Sequence, residues 1–368
     1  MRVVLTGGGT GGHAYPAIAI AEALRDLDPN VELLFVGSSA GPEKRIASDA
    51  GIPFKSVASA PFPKSFAASE FLRLVRIVRG LASSVIVLRA FRPDVAVGTG
   101  GYTTVPVLLA QRLLRKPLVI HEQNVIPGRA NRWISQFADR VCITFDSSAS
   151  CFPRHKVLLT GLPIRKEFLN LPSKKEARKQ LSFREDLFTL LVVGGSLGAR
   201  RLNELMFEAW TLINDGTTQV LHQAGAGNTD QIQEWSKRQL CGEQTYRIEP
   251  YVDMPVSMAA ADLLIGRSGA STLAEAMAAC LPCILVPYPH SVSGEQMANA
   301  RHIADRGAAI VFAENELTPQ KLASAVTDLR SSPERLQEMS EASRSLSKPN
   351  AAADVAKVVV ELASKVQK

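Results

Sequence analysis

Gly7-Gly8-Gly9-Thr10-Gly11-Gly12-His13 follows the apolar run Val3-Val4-Leu5 and precedes a helix-like stretch from Ala17 to Leu27. A buried strand that ends in glycines brings backbone N–H groups against a ligand with no side chains in the way. The helix that follows points its positive dipole end at the same spot, which suits a phosphate or diphosphate. His13 closes the loop and sets a titratable imidazole where a substrate would lie. This stretch predicts a phosphorylated ligand, a nucleotide first of all, with a candidate acid–base group beside it.

Outward from the loop, short apolar runs alternate with helical patterns. Val3–Leu5, Leu33–Val36, Val95–Val97, Leu118–Ile120 and Val141–Thr144 read as buried strands, with helices at about 16–27, 70–90, 104–114 and 128–137 between them. The second half restarts the scheme with Leu190–Val193, Val220–His222, Leu263–Ile265, Cys283–Val286 and Ala309–Phe312. LLVVGGSLGA at 190–199 echoes VVLTGGGTGGH at 3–13: strand, glycine turn, helix start. The fold expected is α/β, two Rossmann-like, doubly wound parallel-sheet domains facing across a cleft, with ligands at the carboxyl ends of the strands. Gly161 to Ser173, with Pro163 and Pro172, reads as the joint. The expected division is 1–162, 163–347 and a C-terminal helix over 348–368 that packs back on the first domain.

A length of 368 residues suits two domains of ordinary size, and 46% apolar with 21% charged residues is the balance of a soluble globular chain. No stretch has the ~18 apolar residues of a membrane span. Met1-Arg2 leads straight into a strand rather than an apolar signal segment, so the chain is expected to stay in the cytoplasm. Five cysteines, an odd number, fit a reducing compartment, and Cys280-Leu-Pro-Cys283 lacks the second pair a zinc site needs. Charge is uneven. Residues 1–165 hold 20 Lys and Arg against 11 Asp and Glu, or +9, and the remainder holds 22 against 24, or −2. One domain should therefore face an anionic surface. Nucleic acid is disfavoured, because no recognised binding motif and few aromatics accompany the basic residues.

Each motif has a plainer reading beside the functional one. Gly7, Gly9 and Gly12 satisfy GxGxxG, but the second strand ends Phe35-Val36-Gly37-Ser38-Ser39 without the acid a dinucleotide ribose needs. Gly98-Thr-Gly100-Gly101-Tyr102, Gly194-Gly195-Ser196 and Arg267-Ser268-Gly269-Ala270-Ser271-Thr272 would singly be ordinary turns. Together at strand ends they favour oxygen-rich ligands. Glu275, one turn into the next helix, is either a capping partner or a ribose ligand, and its apolar neighbours favour the second. His121-Glu122-Gln123-Asn124 should project from a strand end at the cleft edge. Asp26-Leu-Asp28 lies on the polar tail of a helix and supports no metal-dependent sugar-nucleotide site. Phe71-Leu-Arg73-Leu-Val-Arg76-Ile-Val-Arg79 reads equally as a core helix with solvated arginines or as a contact for anionic lipid headgroups.

With these residues assembled, the chain resembles the MurG family of bacterial peptidoglycan glycosyltransferases, which belongs to glycosyltransferase family 28. The likeness runs over nearly the whole chain. It is carried by GGTGGH, GTGGY, HEQN followed by PG, GLPIR, GGSLGA, RSGAST with Glu275, and Gln296 followed by Asn299-Ala300. It implies a GT-B fold and inverting transfer of N-acetylglucosamine from UDP-GlcNAc to lipid I (undecaprenyl-diphosphate-MurNAc-pentapeptide), giving lipid II, without cofactor or metal. The implied partners are UDP-GlcNAc, lipid I and the anionic inner-leaflet surface, with no nucleic acid. The implied location is peripheral, on the cytoplasmic face of the plasma membrane. The first domain would take the acceptor and the second the donor.

The resemblance also assigns residues. His13 is the candidate base and Glu275 the ribose ligand, the two groups placed at the centre of the chemistry. Thr10, Gly11 and Gly12 would face the moving sugar and the acceptor diphosphate. Ser196 and Arg165 would meet the donor diphosphate, and the Val252 backbone would read the uracil. Gly269, Ala270, Ser271, Thr272, Leu273 and Ala274 would wrap the nucleotide, while Gln296 and Asn124 hold sugar hydroxyls. Two positions depart from the family pattern, Glu295 where His or Gln is common and Leu197 where Gln is usual. The rival readings are a glycolipid synthase acting on diacylglycerol, a UDP-GlcNAc 2-epimerase, and a non-catalytic nucleotide-sugar binding protein.

Overall fold

The structure, a computed structural model, describes all residues except 10, 40, 61–67, 196, 197, 229–232, 234–236, 238–244, 292, 367 and 368. Two compact units divide the chain: Met1–Arg165 with Lys348–Lys368, and Lys166–Ser347.

The first unit is a seven-stranded parallel sheet. Its strands are β1 (Arg2–Thr6), β2 (Glu32–Gly37), β3 (Phe54–Ser56), β4 (Val95–Gly98), β5 (Leu118–Glu122), β6 (Arg140–Ile143) and β7 (Val157–Leu159), in the order β3-β2-β1-β4-β5-β6-β7. Strand periodicity sends alternate residues to opposite faces. Val3, Leu5, Phe35, Val95 and Val97 accordingly share one core with the helices Gly11–Leu27 and Ala351–Val366. Val4, Leu34, Val36, Ala96 and Ile120 share another, with Leu88, Val107 and Leu108 from the helices Ala68–Phe91 and Thr104–Leu113. Cover on both faces is why these strands are apolar throughout rather than alternating. The last helix belongs to this unit through Val355, Ala356, Val359, Leu362 and Ala363. At roughly 1.5–3 kcal/mol for each fully buried large aliphatic, that helix is a principal part of the core.

The second unit repeats the plan with β8 (Phe188–Val193), β9 (Thr218–Gln223), β10 (Tyr246–Glu249), β11 (Leu263–Gly266), β12 (Cys283–Leu285) and β13 (Ala309–Val311), all parallel, in the order β10-β9-β8-β11-β12-β13. Leu202, Leu205, Met206 and Trp210 of the helix Arg200–Ile213 pack with Leu190 and Val192 against Leu322 and Val326 of the helix Pro319–Arg330.

Strand order reverses between β1 and β4 in one unit and between β8 and β11 in the other. Doubly wound sheets open their ligand crevice at such a reversal. The loops after those four strands are the Gly7–His13 loop, the Gly98–Tyr102 turn, the Gly194–Ala199 turn and the Arg267–Thr272 segment. Topology thus brings the glycine motifs together in pairs, one pair per unit.

Candidate functional site

In the first unit, Gly11, Gly12 and His13 form the opening turn of the helix Gly11–Leu27, and Thr10 lies outside the described residues. The Gly8 amide donates to the Gly100 carbonyl at 3.3 Å. Thr99 donates its hydroxyl to the His13 carbonyl at 2.6 Å. Gly101, at φ +87°, stands so close that a Cβ there would lie 2.1 Å from the Gly8 carbonyl oxygen. The half-buried His13 ring sits in this frame, with Nδ1 3.3 Å from Gln123 Oε1.

The HEQN stretch points inward, which corrects the expectation that its side chains project into a cleft. His121, Glu122 and Gln123 are buried, and only Asn124 is partly open. Gln123 Nε2 donates to the Thr99 carbonyl at 2.5 Å and approaches His121 Nδ1 and the His121 carbonyl at 3.3 and 3.1 Å. His121 Nε2 lies 2.8 Å from the Gly161 carbonyl, and burial lowers its pKa to about 4, against the pull of that bond. Glu122 accepts from Asn131 Nδ2 at 2.9 Å and from the amides of Gly128 and Asn124 at 3.1 and 2.9 Å. Asn124 also donates its side-chain amide to Glu122 at 3.3 Å. The cluster fixes where β5 ends and how the next turn runs.

Sequence reasoning missed Glu43. The end of β2 carries no acid of its own, yet the fully buried Glu43 returns to it, accepting from the Ser38 amide at 3.1 Å and the Gly9 amide at 3.4 Å. An acid two residues past Gly41 on a short helix gave no periodic signal. The Glu43 carboxylate lies against Gly8 and Gly9, which are distant in sequence, as well as against Gly37 and Gly41. Arg165, the last residue of this unit, holds its guanidinium 5.7 Å from the Tyr15 ring centroid. That contact places it beside the first turn of the Gly11–Leu27 helix.

In the second unit, the helix Ala270–Ala278 starts at Gly269 with no side-chain cap on its N–H groups. A helix end of this kind attracts anions. Ala270 and Leu273 are buried, Ser271, Thr272 and Ala274 are partly open, and Glu275 is buried. The Ser268 hydroxyl is engaged inside the protein, donating to the Gln296 carbonyl at 2.8 Å. The Tyr288 amide donates to Gln296 Oε1 at 2.9 Å, leaving the Gln296 NH2 as the part of that side chain that turns elsewhere. Val252 lies between β10 and the helix Met254–Ala260, whose N-cap Asp253 accepts from the Val256 amide. Arg267 opens the RSGAST motif, and the structure gives it partners that the motif did not show. It donates to the Val286 carbonyl at 2.9 Å, pairs with Glu314 and stacks 5.6 Å from the Tyr288 ring centroid. Ser196 and Leu197 lie outside the described residues. Cys280 and Cys283 are free thiols.

The Glycosyltransferase family 28 N-terminal domain matches residues 3–143, and the Glycosyltransferase family 28 C-terminal domain matches 189–359. The UDP-N-acetylglucosamine--N-acetylmuramyl-(pentapeptide) pyrophosphoryl-undecaprenol N-acetylglucosamine transferase of Desulforudis audaxviator is 40% identical, over 99% of each chain. Its counterpart from Desulforamulus reducens is 39% identical over the full length of both. The crystal structure of MurG from Acinetobacter baumannii superposes with a TM-score of 0.77 at 29% identity, covering 98% of this chain and 99% of that one. The chain belongs to the MurG family. The Neisseria meningitidis UDP-GlcNAc 2-epimerase bound to UDP-GlcNAc, at 15% identity and a TM-score of 0.69, shares the fold. Both units are therefore parts of a GT-B glycosyltransferase. Of the two departures from the MurG-family pattern, Glu295 has a local explanation. It accepts from the Ser293 amide at 2.8 Å and steadies the start of its own helix.

Proposed function

We propose that the chain transfers N-acetylglucosamine from UDP-GlcNAc to the undecaprenyl-diphosphate-linked N-acetylmuramyl pentapeptide, with inversion at the anomeric carbon. The observation that carries this reading is the placement of His13 on the glycine-built switch point of the first unit, in a chain that aligns end to end with transferases of that name. As the acceptor hydroxyl attacks the anomeric carbon, its proton passes to His13 and the bond from that carbon to the UDP oxygen breaks. Negative charge then grows on the departing diphosphate. Arg165, Ser196 and the uncapped start of the Ala270–Ala278 helix stabilise it. Glu275 holds the ribose, and the Val252 backbone reads the base. Thr10, Gly11 and Gly12 meet the acceptor diphosphate, while Asn124 and the Gln296 NH2 hold the sugar.

The acceptor is a lipid, and among the described residues no helix is long and apolar enough to cross a membrane. The Ala68–Phe91 helix supplies a surface contact instead. Arg76 and Arg79 are exposed on it beside Val75, Val78 and Ile86, which a core helix would bury. Exposed apolar and basic residues on one helix suit the anionic inner leaflet, so the enzyme works peripherally on the cytoplasmic face.

Release of UDP in the presence of lipid I tests the reading. UDP-GlcNAc with lipid I should give turnover, and replacement by UDP-glucose or UDP-galactose should lower it steeply. Turnover with diacylglycerol but not lipid I would make the chain a glycolipid synthase, and binding of UDP-GlcNAc without turnover would make it a sensor.

A further inference from the structure

Gln123 connects two histidines, and each hydrogen bond it makes has only one workable direction. The Gly161 and Thr99 carbonyls can only accept. His121 must therefore carry its proton on Nε2, 2.8 Å from Gly161. Buried and held neutral, it has no second proton, so its Nδ1 accepts. Gln123 Nε2, pinned 2.5 Å from the Thr99 carbonyl, shares its other hydrogen between His121 Nδ1 and the His121 carbonyl. The amide cannot flip without setting its oxygen against the Thr99 carbonyl, a repulsive pairing in a buried place. Gln123 Oε1 thus faces His13 as an acceptor, and His13 Nδ1, 3.3 Å away, must be the donor.

We infer that Gln123 and His121 are positioning residues that lock His13 in the Nδ1–H tautomer, so that Nε2 carries the lone pair that takes the acceptor's proton. The chain of direction runs from a backbone carbonyl of the Leu159–Gly161 segment to the imidazole without any change of charge. An imidazole in the opposite tautomer would present N–H to the incoming hydroxyl and could not act as its base. Backbone contacts hold the rest of the residue, since the Thr99 hydroxyl fixes the His13 carbonyl while the amide of Gln123 fixes the ring. This inference rests on the reading of His13 as the base, and the experiment separates the two.

Nitrogen-15 spectra of the full chain labelled at histidine, with His13 assigned by loss of its signals in His13→Gln, report the tautomer directly. At neutral pH the His13 Nδ1 resonance should be pyrrole-like and Nε2 pyridine-like, with His121 showing the reverse pattern. Wild-type His13 in the Nε2–H form would overturn the proposal, and the tautomer itself is read from the unaltered protein. Gln123→Met should then mix the His13 tautomers and lower kcat by roughly tenfold or more, a share of the 10²–10⁴ that a general base contributes, with little change in KM for UDP-GlcNAc. Unmixed His13 signals and an unchanged kcat in Gln123→Met would also overturn it. Normal turnover in His13→Ala would instead defeat the base assignment beneath it.

Discussion

Gly101 and Gly195 have almost the same backbone, at φ +87° and +89°, the first in the turn after β4 and the second in the turn after β8. Their surroundings differ completely. A Cβ on Gly101 would meet the Gly8 carbonyl oxygen at 2.1 Å, whereas a Cβ on Gly195 would find no described atom within 4 Å beyond its neighbours in the chain. The Gly7–His13 loop that closes on Gly101 is held by its own protein: Glu43 accepts from the Gly9 amide, and Thr99 and Gln123 hold His13. The turn after β8 is clear of other described atoms only around Gly195, since a Cβ on Gly198 would lie 2.2 Å from the Ala224 carbonyl oxygen, and its support comes from behind. Asn203 donates to the Ala224 carbonyl at 3.2 Å, and His222 is bonded to Asn203 and Tyr246. One grammar of strand, glycine turn and helix thus serves two ends. On the proposed function, the closed one holds the acid–base group and the one around Gly195 takes a bulky anion.

Removing the group that the closed turn exists to hold should have the largest effect. His13→Ala is expected to lower kcat by about 10²–10⁴, with the donor KM nearly unchanged, because His13 makes none of the proposed donor contacts. Steady-state kinetics with lipid I check this. A rise in KM with intact kcat would mean that the closed turn binds rather than reacts.

Next in size is acid sensitivity, since each unit buries a neutral imidazole. Burial lowers the pKa of His121 to about 4 in the first unit and of His222 to about 3 in the second. An unfolded histidine takes up its proton near ~6.5, while these two do not until much lower pH. Their contribution to stability is therefore complete above that point and is lost as pH falls toward 4 and then 3, on the order of a few kcal/mol for each. Melting temperature should drop steadily between pH 7 and pH 4, and the second unit should keep losing stability below the point where the first levels off. A melting temperature flat over that range would show that these imidazoles are not held neutral.

Much of this was readable in the sequence. Ten apolar runs gave ten strands to within a residue or two at either end, nine interior and one the edge strand β13, because burial on both faces leaves little ambiguity for the interior ones. The edge strands β3, β7 and β10 were missed: three or four residues long and partly exposed, they lack a run of buried aliphatics. At the site, the glycine motifs located both switch points, since a strand that must end against a ligand needs those residues. The direction of the HEQN side chains was not legible. Whether a polar residue at a strand end turns in or out depends on partners such as Asn131, Gly128 and Gly161, which only the fold brings near. Glu43 escaped for the same reason, and so did the partners of Arg267.

The paired glycines give a direct test of closed against open. Gly195→Ala should cost only the backbone strain of a positive φ, about 1–2 kcal/mol, whereas Gly101→Ala must also push aside a carbonyl oxygen and should cost about 3 kcal/mol or more. Thermal melts of the two variants compare them. If the turn meets the donor diphosphate as proposed, the added methyl at Gly195 should still raise the KM for UDP-GlcNAc. Equal destabilisation by the two substitutions would erase the distinction.

The smallest effect concerns charge, which also separates the units. The first 165 residues carry +9 and the remainder −2. If the exposed Arg76 and Arg79 lie against lipid headgroups, each is worth about 1 kcal/mol near an anionic surface, roughly a fivefold change in affinity. Arg76→Ala with Arg79→Ala should therefore weaken sedimentation with phosphatidylglycerol-containing vesicles by more than tenfold and leave the phosphatidylcholine background unchanged. Raised salt should reproduce the loss in the unaltered protein, since exposed charges are screened within about 8 Å at physiological ionic strength. Substituting exposed cations of the second unit, such as Lys321 or Arg306, should have no comparable effect. Equal losses from either unit would mean that net charge alone draws the protein to lipid, and that the Ala68–Phe91 helix has no privileged face.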